Sequence, residues 1–334
     1  MKILVCINKL EKKTFLPASV WADLEALDAA IVLQDSDGMD TKDLAKCLSE
    51  IRPEVLISAW STPCLPESQV DQTLEYLKLQ THLPGSLKKV IPRVYLEKGL
   101  LATNWGGSIS RTISECALML ILCSLRRTAK WQIEMHTGNG WKNSGSSFLS
   151  LFERRVGIHG FGAIGQALVP LLKPFKVKIS AYSPSVPKKV FSDLGVHKCE
   201  TLEELFSESD VLVELAPNTP KYFHSVTEKL LRMLPENGVF VNVGRGATVD
   251  EMALGRIAQE GNLQIGLDVY EEEPLPSDSL LRGLKNVCLL PHIGGPTIDR
   301  RQDAGRHAIS IINNWMQGIA PEEAVSAQAY DRAT

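Results

Sequence analysis

Val156-Gly157-Ile158-His159-Gly160-Phe161-Gly162-Ala163-Ile164-Gly165-Gln166-Ala167-Leu168-Val169 is the stretch from which the rest of the chain is read. Its first four residues suit a short strand and its last four a helix. Between them Gly160, Gly162 and Gly165 keep the spacing G-x-G-x-x-G. Such a turn uses glycine for a tight bend, for close backbone approach to a pyrophosphate, and for packing helix on strand. The helix start adds N–H groups and a positive partial charge for an anion. The hexapeptide alone is a weak signal, and an ordinary glycine-rich strand–helix turn is the bland alternative. In its strand–turn–helix setting the segment reads as a dinucleotide-binding turn, with Gly160, Gly162, Ala163, Ile164 and Gly165 as candidate cofactor contacts.

An acidic residue ~20 positions after the turn normally binds the adenosine ribose. Here the next strand is Lys178-Ile179-Ser180-Ala181-Tyr182, and Ser183 follows where the carboxylate is expected. Serine can hydrogen-bond a ribose and does not repel a 2′-phosphate. Lys188 and Lys189 lie close behind, either as positive charge for a phosphate or as solvated surface. The choice between NAD and NADP therefore stays open.

Outward from the turn, apolar runs alternate with helical or polar stretches. Strands are expected at 2–7, 30–33, 55–59, 77–81 and 100–103, and a second series at 156–159, 178–182, 211–215, 239–243, 266–269 and 287–290. Strand-then-helix repetition argues for parallel strands with crossover helices, buried on both faces. The segment 108–127 is apolar at helical spacing and reads as a long buried helix. A Gly/Asn/Ser-rich loop at 137–147 precedes the second series. Helices are expected at 250–260, opened by Asp250, and at 298–316. The expected fold class is α/β, with two Rossmann-like or flavodoxin-like doubly wound parallel-sheet domains and an interdomain cleft.

Composition sets outer bounds. A length of 334 residues suits two domains at roughly 150 residues each. Basic and acidic residues nearly balance, with a formal net charge of −3, so no electrostatic argument points to nucleic acid or an anionic membrane. The longest apolar run, Cys116 to Cys123, is eight residues, whereas a membrane-spanning helix needs about 18. Residues 1–7 read as a first strand, not a secretory leader. The seven cysteines form no Cys-x-x-Cys pair and sit partly in apolar runs, which suits reduced thiols in a cytoplasmic protein. The histidines outside the candidate site, at 82, 136, 159, 197, 224 and 307, form no H-E-x-x-H or Cys/His cluster, so no metal is expected. His159, inside the strand before the turn, reads as structural.

Three polar groups end strands of the second series. Arg245 stands in Asn242-Val243-Gly244-Arg245-Gly246, the acids Glu271, Glu272 and Glu273 follow Leu267-Asp268-Val269-Tyr270, and His292 lies in Leu290-Pro291-His292-Ile293-Gly294-Gly295. In open α/β sheets the functional crevice lies beyond the carboxyl ends of strands. Arginine offers a charged donor fork for a carboxylate and its adjacent carbonyl oxygen. Histidine can give the proton that a reduced carbonyl needs, and a carboxylate beside it would hold the ring. Taken singly, a histidine after a strand and an acidic run are more often structure or surface. Placed together after a dinucleotide turn, they suit hydride transfer to a 2-oxo acid.

The pieces G-F-G-A-I-G, V-N-V-G-R-G-A-T-V-D-E, L-D-V-Y-E-E-E-P and P-H-I-G-G, with their spacing, resemble the D-isomer-specific 2-hydroxyacid dehydrogenase family, in particular its glyoxylate/hydroxypyruvate reductases and phosphoglycerate dehydrogenases. The likeness covers most of the chain and is weakest before residue 50. It implies an NAD(P)-dependent oxidoreductase interconverting a 2-oxo acid and a D-2-hydroxy acid. Arg245 would bind the substrate carboxylate and 2-oxygen, Glu273 would orient His292, and His292 would be the acid–base. Asp268 matches the acid near the nicotinamide. Ala216, Pro217, Val243, Gly244, Gly294 and Gly295 match cofactor-contacting backbone.

The resemblance further implies that Pro84, Gly85 and Ser86 form the loop holding the substrate carboxylate. It assigns 1–104 plus 298–334 to the substrate-binding (catalytic) domain and 105–297 to the NAD(P)-binding domain, and it implies a homodimer with the helix 108–127 as candidate interface. Two departures stand out: Ser183 in place of an aspartate, and Leu87-Lys88-Lys89 after the carboxylate loop. Trp60 and Trp105, at strand ends, are candidates for shaping the substrate pocket, with core or interface roles as the alternative. A second functional reading is an NAD(H)-sensing binding module or corepressor-like protein on the same fold with little turnover. A Rossmann oxidoreductase of another class is a third, though it would not need Arg245 and His292 together. No G-x-S-x-G or P-loop sequence is present.

Overall fold

The computed structural model describes residues 1–334 except Asn139, Gly145, Ala333, Thr334 and the side chain of Arg332. Two residues of the loop expected at 137–147 and the last two of the segment 298–334 thus lie outside the described residues. Contacts group the chain into two compact units, Met1–Ile109 with Pro296–Thr334, and Ser110–Gly295.

The first unit holds five strands: β1 (Lys2–Cys6), β2 (Ala30–Gln34), β3 (Val55–Ser58), β4 (Leu79–His82) and β5 (Leu101–Thr103). They form an all-parallel sheet in the order β2-β1-β3-β4-β5. Successive side chains of a strand point to opposite faces, and here both faces are apolar. Ile3, Val5 and Ile57 meet Phe15, Leu24 and the Ala304, Ala308 and Ile312 stripe of the helix Arg301–Met316. Leu4 and Leu56 meet Leu44 and Leu48 of the helix Thr41–Ile51. The expectation of full burial fails at β2: Ile31 and Val32 pack on the two faces, but as an edge strand with one neighbour it leaves Leu33 45% exposed.

The second unit holds β6 (Arg155–His159), β7 (Lys178–Tyr182), β8 (His197–Lys198), β9 (Val211–Glu214), β10 (Val239–Asn242), β11 (Gln264–Leu267) and β12 (Val287–Leu289). The seven parallel strands run β12-β11-β10-β9-β6-β7-β8. After β6 the chain builds outward through β7 and β8, then returns to place β9 on the other side. That reversal makes the β6–β9 edge the sheet's topological switch point, where open α/β sheets bind ligands. One face packs Val156, Ile158, Val213 and Val241 on Ala117, Leu120 and Ile121 of the helix Ser110–Leu125. The other packs Leu212, Phe240 and Ile265 on Leu205, Leu254 and Ile257.

Several elements differ from the sequence expectation, among them β4, which runs Leu79–His82 where 77–81 was expected. β8 was not expected, being two polar residues on an edge. β11 begins two residues earlier than expected, because the buried Gln264 joins the ladder through its N–H to Gly238. The last helix starts at Arg301, not 298, since Arg300 and Arg301 both donate to the Thr297 carbonyl in a turn. The helix Glu251–Glu260 opens as its acidic N-cap suggests, with Asp250 accepting from the Ala253 N–H at 2.9 Å. Among the described residues no helix is long and apolar enough to cross a membrane.

Candidate active site

The glycine turn closes the carboxyl end of β6. Gly160 has φ +92, and a Cβ there would lie 2.5 Å from the Leu215 carbonyl and 2.6 Å from the Ala216 nitrogen. Only glycine fits so close to the loop after β9. Gly162 is the N-cap of the helix Ala163–Leu172, and a Cβ there would meet nothing within 4 Å. Ala163, Ile164 and Gly165 form the first helical turn, whose N–H groups lack helical carbonyl partners. Open space beside a helix start fits a pyrophosphate, so the turn passes the test for holding a dinucleotide.

Neighbouring strand ends deliver the other expected cofactor contacts of this unit. Ser183 is buried just past β7. Ala216 is buried just past β9, with Pro217 exposed after it. Val243 and Gly244 follow β10, and the Gly244 N–H donates to the Asn242 side chain at 3.0 Å. Lys189, one of two lysines considered for a cofactor phosphate, is exposed and pairs with Asp193 at 2.8 Å.

The turn after β10 also aims Arg245. Its backbone carbonyl accepts from Asn242 Nδ2 at 3.0 Å and from Thr248 Oγ1 at 2.8 Å, while its own Nη1 donates to the Gly244 carbonyl at 2.7 Å. These bonds hold the backbone on both sides of an exposed residue, whose guanidinium burial pulls below its usual range while the charge of Glu273 opposes that pull.

His292 and Glu273 are brought together from segments 19 residues apart, with His292 Nδ1 2.6 Å from Glu273 Oε2. The other oxygen of Glu273 accepts from the Tyr270 N–H at 3.0 Å. A carboxylate on Nδ1 makes that nitrogen the donor and leaves Nε2 for another partner. His292 is 49% exposed and has φ +53, a left-handed conformation uncommon for a non-glycine residue. Glu273 and His292 line a cavity of about 590 Å³ with Tyr270, Pro274, Leu275, Leu290 and Pro291.

Asp268 fixes the segment after His292, accepting from the Ile293 N–H at 2.7 Å and the Gly294 N–H at 2.8 Å. Burial pushes its carboxyl up, against those two N–H groups and His292, which pull it down. The same burial, with Asp268 adding to it, pushes the Cys116 thiol up to about 12. Gly295 is open to solvent on its Cβ side.

The acidic run is not a uniformly solvated loop. Only Glu273 reaches His292, whereas Glu271 pairs with His224 at 2.9 Å and its N–H donates to Glu251 at 2.8 Å.

Pro84, Gly85, Ser86 and Trp60 belong to the other unit, after β4 and β3. Asn104 Nδ2 donates to the Gly85 carbonyl at 2.6 Å, and the Trp105 ring fills the space where a Gly85 Cβ would project. Trp60 is 51% exposed, 5.2 Å from Phe15 and beneath the Arg301 guanidinium at 4.9 Å.

Sequence reasoning passed over one buried arrangement. His159 meets Glu214 at 2.5 Å inside the sheet, directly under the glycine turn. A carboxylate within the apolar strand Val211-Leu212-Val213-Glu214 was the available signal.

The chain matches the model of the D-isomer specific 2-hydroxyacid dehydrogenase NAD-binding domain over residues 118–294. It is 34% identical to a hydroxyphenylpyruvate reductase of Plectranthus scutellarioides over 239 residues, covering 71% of this chain and 74% of that protein. It is 31% identical over 231 residues to a D-3-phosphoglycerate dehydrogenase of Methanocaldococcus jannaschii, covering 69% of this chain but only 44% of that longer protein. The fold resembles an NAD-complexed D-isomer specific 2-hydroxyacid dehydrogenase of Lactobacillus delbrueckii ssp. bulgaricus, with TM-score 0.81, 19% identity, and 98% and 100% of the two chains covered. The chain belongs to the D-isomer-specific 2-hydroxyacid dehydrogenase family, and is a nicotinamide-dependent oxidoreductase acting between 2-oxo and 2-hydroxy acids.

Proposed function

We propose that the chain reduces a small 2-oxo acid to its D-2-hydroxy acid, and reverses the reaction, with Arg245, Glu273 and His292 as its catalytic set. The observation that carries this is the Glu273–His292 hydrogen bond of 2.6 Å, formed at the same sheet edge that bears Arg245 and the dinucleotide turn. Arg245 binds the substrate carboxylate and draws electron density toward the 2-oxygen. His292 Nε2 donates a proton to that oxygen in reduction and withdraws it in oxidation. Glu273 keeps Nδ1 protonated, so the other nitrogen faces the substrate and the ring's positive charge is stabilised. The Gly160–Gly165 turn would hold the nicotinamide dinucleotide, whose ring would supply or accept the hydride. Asp268 holds the Ile293-Gly294 backbone and so fixes where His292 stands.

In the other unit we assign the Pro84-Gly85-Ser86 backbone to the substrate carboxylate and Trp60 to the substrate side chain. The helix Ser110–Leu125 is mostly buried within its own unit but leaves Met119 44% exposed. Met135 and Trp141, further along, are 51% and 74% exposed. We assign this apolar surface to a homodimer interface, which light scattering on the purified protein checks.

The deciding assay follows NADH and NADPH at 340 nm against glyoxylate, hydroxypyruvate, pyruvate and bulkier 2-oxo acids. Arg245→Ala and His292→Ala should each lower turnover by about 10²-fold or more while cofactor affinity stays within a few-fold. Equal loss of turnover and cofactor binding would remove Arg245 from its role. Tight cofactor binding with no turnover on any acid would leave a binding function instead. The two cofactor columns show what Ser183 selects.

A further inference from the structure

His159 and Glu214 are the last residues of β6 and β9 and face each other in register. Both are sealed from solvent, at 1% and 0% exposure. Glu214 Oε2 meets His159 Nδ1 at 2.5 Å, and Oε1 accepts the Ala216 N–H at 2.8 Å. The His159 carbonyl in turn accepts the Leu215 N–H at 2.7 Å. The rings of Tyr182 and Tyr222 close over the imidazole at 5.9 and 5.6 Å, and its Nε2 has no hydrogen-bond partner among the described residues.

A buried ionisable pair is weak evidence for stability, since apolar residues of similar volume often do as well or better. Its position is more informative. One residue beyond His159 the dinucleotide turn begins at Gly160, and two beyond Glu214 stands Ala216. The turn and this loop touch so closely that a Cβ on Gly160 would overlap the Leu215–Ala216 peptide. The orientation of that peptide therefore sets the shape of the turn. Glu214 fixes it by taking the Ala216 N–H, and His159 fixes Glu214.

We propose that His159 and Glu214 are positioning residues for the dinucleotide, clamping the Leu215-Ala216 loop against the Gly160 turn before the cofactor arrives. The inference rests on the reading that this turn holds a nicotinamide dinucleotide. Glu214→Leu leaves His159 without its acceptor and the Ala216 N–H without an oxygen. The double variant His159→Leu/Glu214→Leu removes both buried polar groups together, while Glu214→Gln keeps an oxygen for Ala216.

NADH affinity by fluorescence titration, melting temperature and steady-state kinetics are read for each. Glu214→Leu should weaken NADH binding at least 10-fold, with KM for NADH rising more than kcat falls. The double variant should regain melting temperature without regaining affinity, and Glu214→Gln should bind within about 3-fold of the unaltered chain. A double variant that binds NADH as tightly as the unaltered chain overturns the proposal and leaves the pair a packing feature.

Should the leucine variants fail to fold, hydrogen exchange on the unaltered protein decides. The Ala216 amide is expected to be protected already without NADH. Protection that appears only when NADH is added overturns the clamp. An unaltered chain that binds neither NADH nor NADPH overturns the dinucleotide reading itself, a result distinct from any of these.

Discussion

The two sheets of this chain are built alike and finished differently. Both are parallel, with apolar side chains on both faces, and both carry polar residues toward their carboxyl ends. In the five-stranded sheet those residues are neutral: Ser58, Gln80, Thr81, His82 and Thr103 are all buried, and none meets a carboxylate among the described residues. In the seven-stranded unit the neutral Ser183 and Asn242 stand beside ionisable residues that are tied to one another or to backbone, as His159 with Glu214, His292 with Glu273, and Asp268 with two N–H groups.

The histidines show the contrast best. Among the described residues His82 meets only the Ser58 hydroxyl, at 3.0 Å, and burial pushes its pKa down to about 3. It is a neutral packing residue. His292 has a carboxylate on Nδ1 and stands half in solvent, with Nε2 left for another partner. The same residue type at the end of a strand is inert or usable according to its partner and its access to water.

If that contrast is right, the largest effect lies with the carboxylate behind His292. Glu273→Gln keeps the shape of the side chain but removes the charge that fixes the ring. We expect kcat for 2-oxo acid reduction to fall by about 10²-fold or more, with NADH affinity unchanged. A fall of only a few-fold would mean that His292 acts without Glu273, and the two sheets would differ less than their geometry suggests.

The next effect belongs to the other sheet and is one of stability. Unfolded, His82 titrates near 6.5, and folded near 3, so the folded state binds fewer protons between those values. Its contribution is complete above pH 6.5 and is lost as pH falls, at about 1.4 kcal/mol per pH unit. At pH 5 that is about 2 kcal/mol. Urea unfolding at pH 7 and pH 5 should show this loss, and His82→Asn should show a loss smaller by about that amount. An equal loss in both proteins would place the acid sensitivity elsewhere.

How much of this was legible in the sequence follows from the range of each interaction. Strands such as Val55–Ser58 and Val239–Asn242 announce themselves by local apolar runs. The glycine turn is equally local. Arg245 and His292 each stand just past a strand, which is why the rule that sites gather at carboxyl ends singles them out as candidates. What could not be read was pairing across the sheet. Residues 159 and 214 are 55 apart, and neither says that β6 and β9 lie side by side. In the acidic run the family resemblance already pointed Glu273 to His292, but nothing in the residue identities says that Glu271 turns to His224. His197–Lys198 is too short and too polar to mark a strand without β7 beside it.

The smallest effect concerns how each unit starts a helix. In the five-stranded unit Asp40 accepts from both Lys42 and Asp43, and Asp43 answers by accepting from the Asp40 N–H. In the seven-stranded unit Asp250 accepts from Ala253 alone, but its own N–H is held by the Val226 carbonyl at 3.1 Å. Losing an aspartate N-cap typically costs about 1 kcal/mol. Asp250→Ala should therefore lower urea stability by about that much, because one helical N–H loses its acceptor. If stability does not change, the bond to Val226 is enough to start the helix, and the acidic cap in this unit serves something other than the fold. The helix begins three residues after Thr248, whose hydroxyl holds the Arg245 carbonyl, so that outcome would direct attention to the arginine. A rise in KM for the 2-oxo acid in Asp250→Ala, at unchanged stability, would show that the cap acts on the site through this turn.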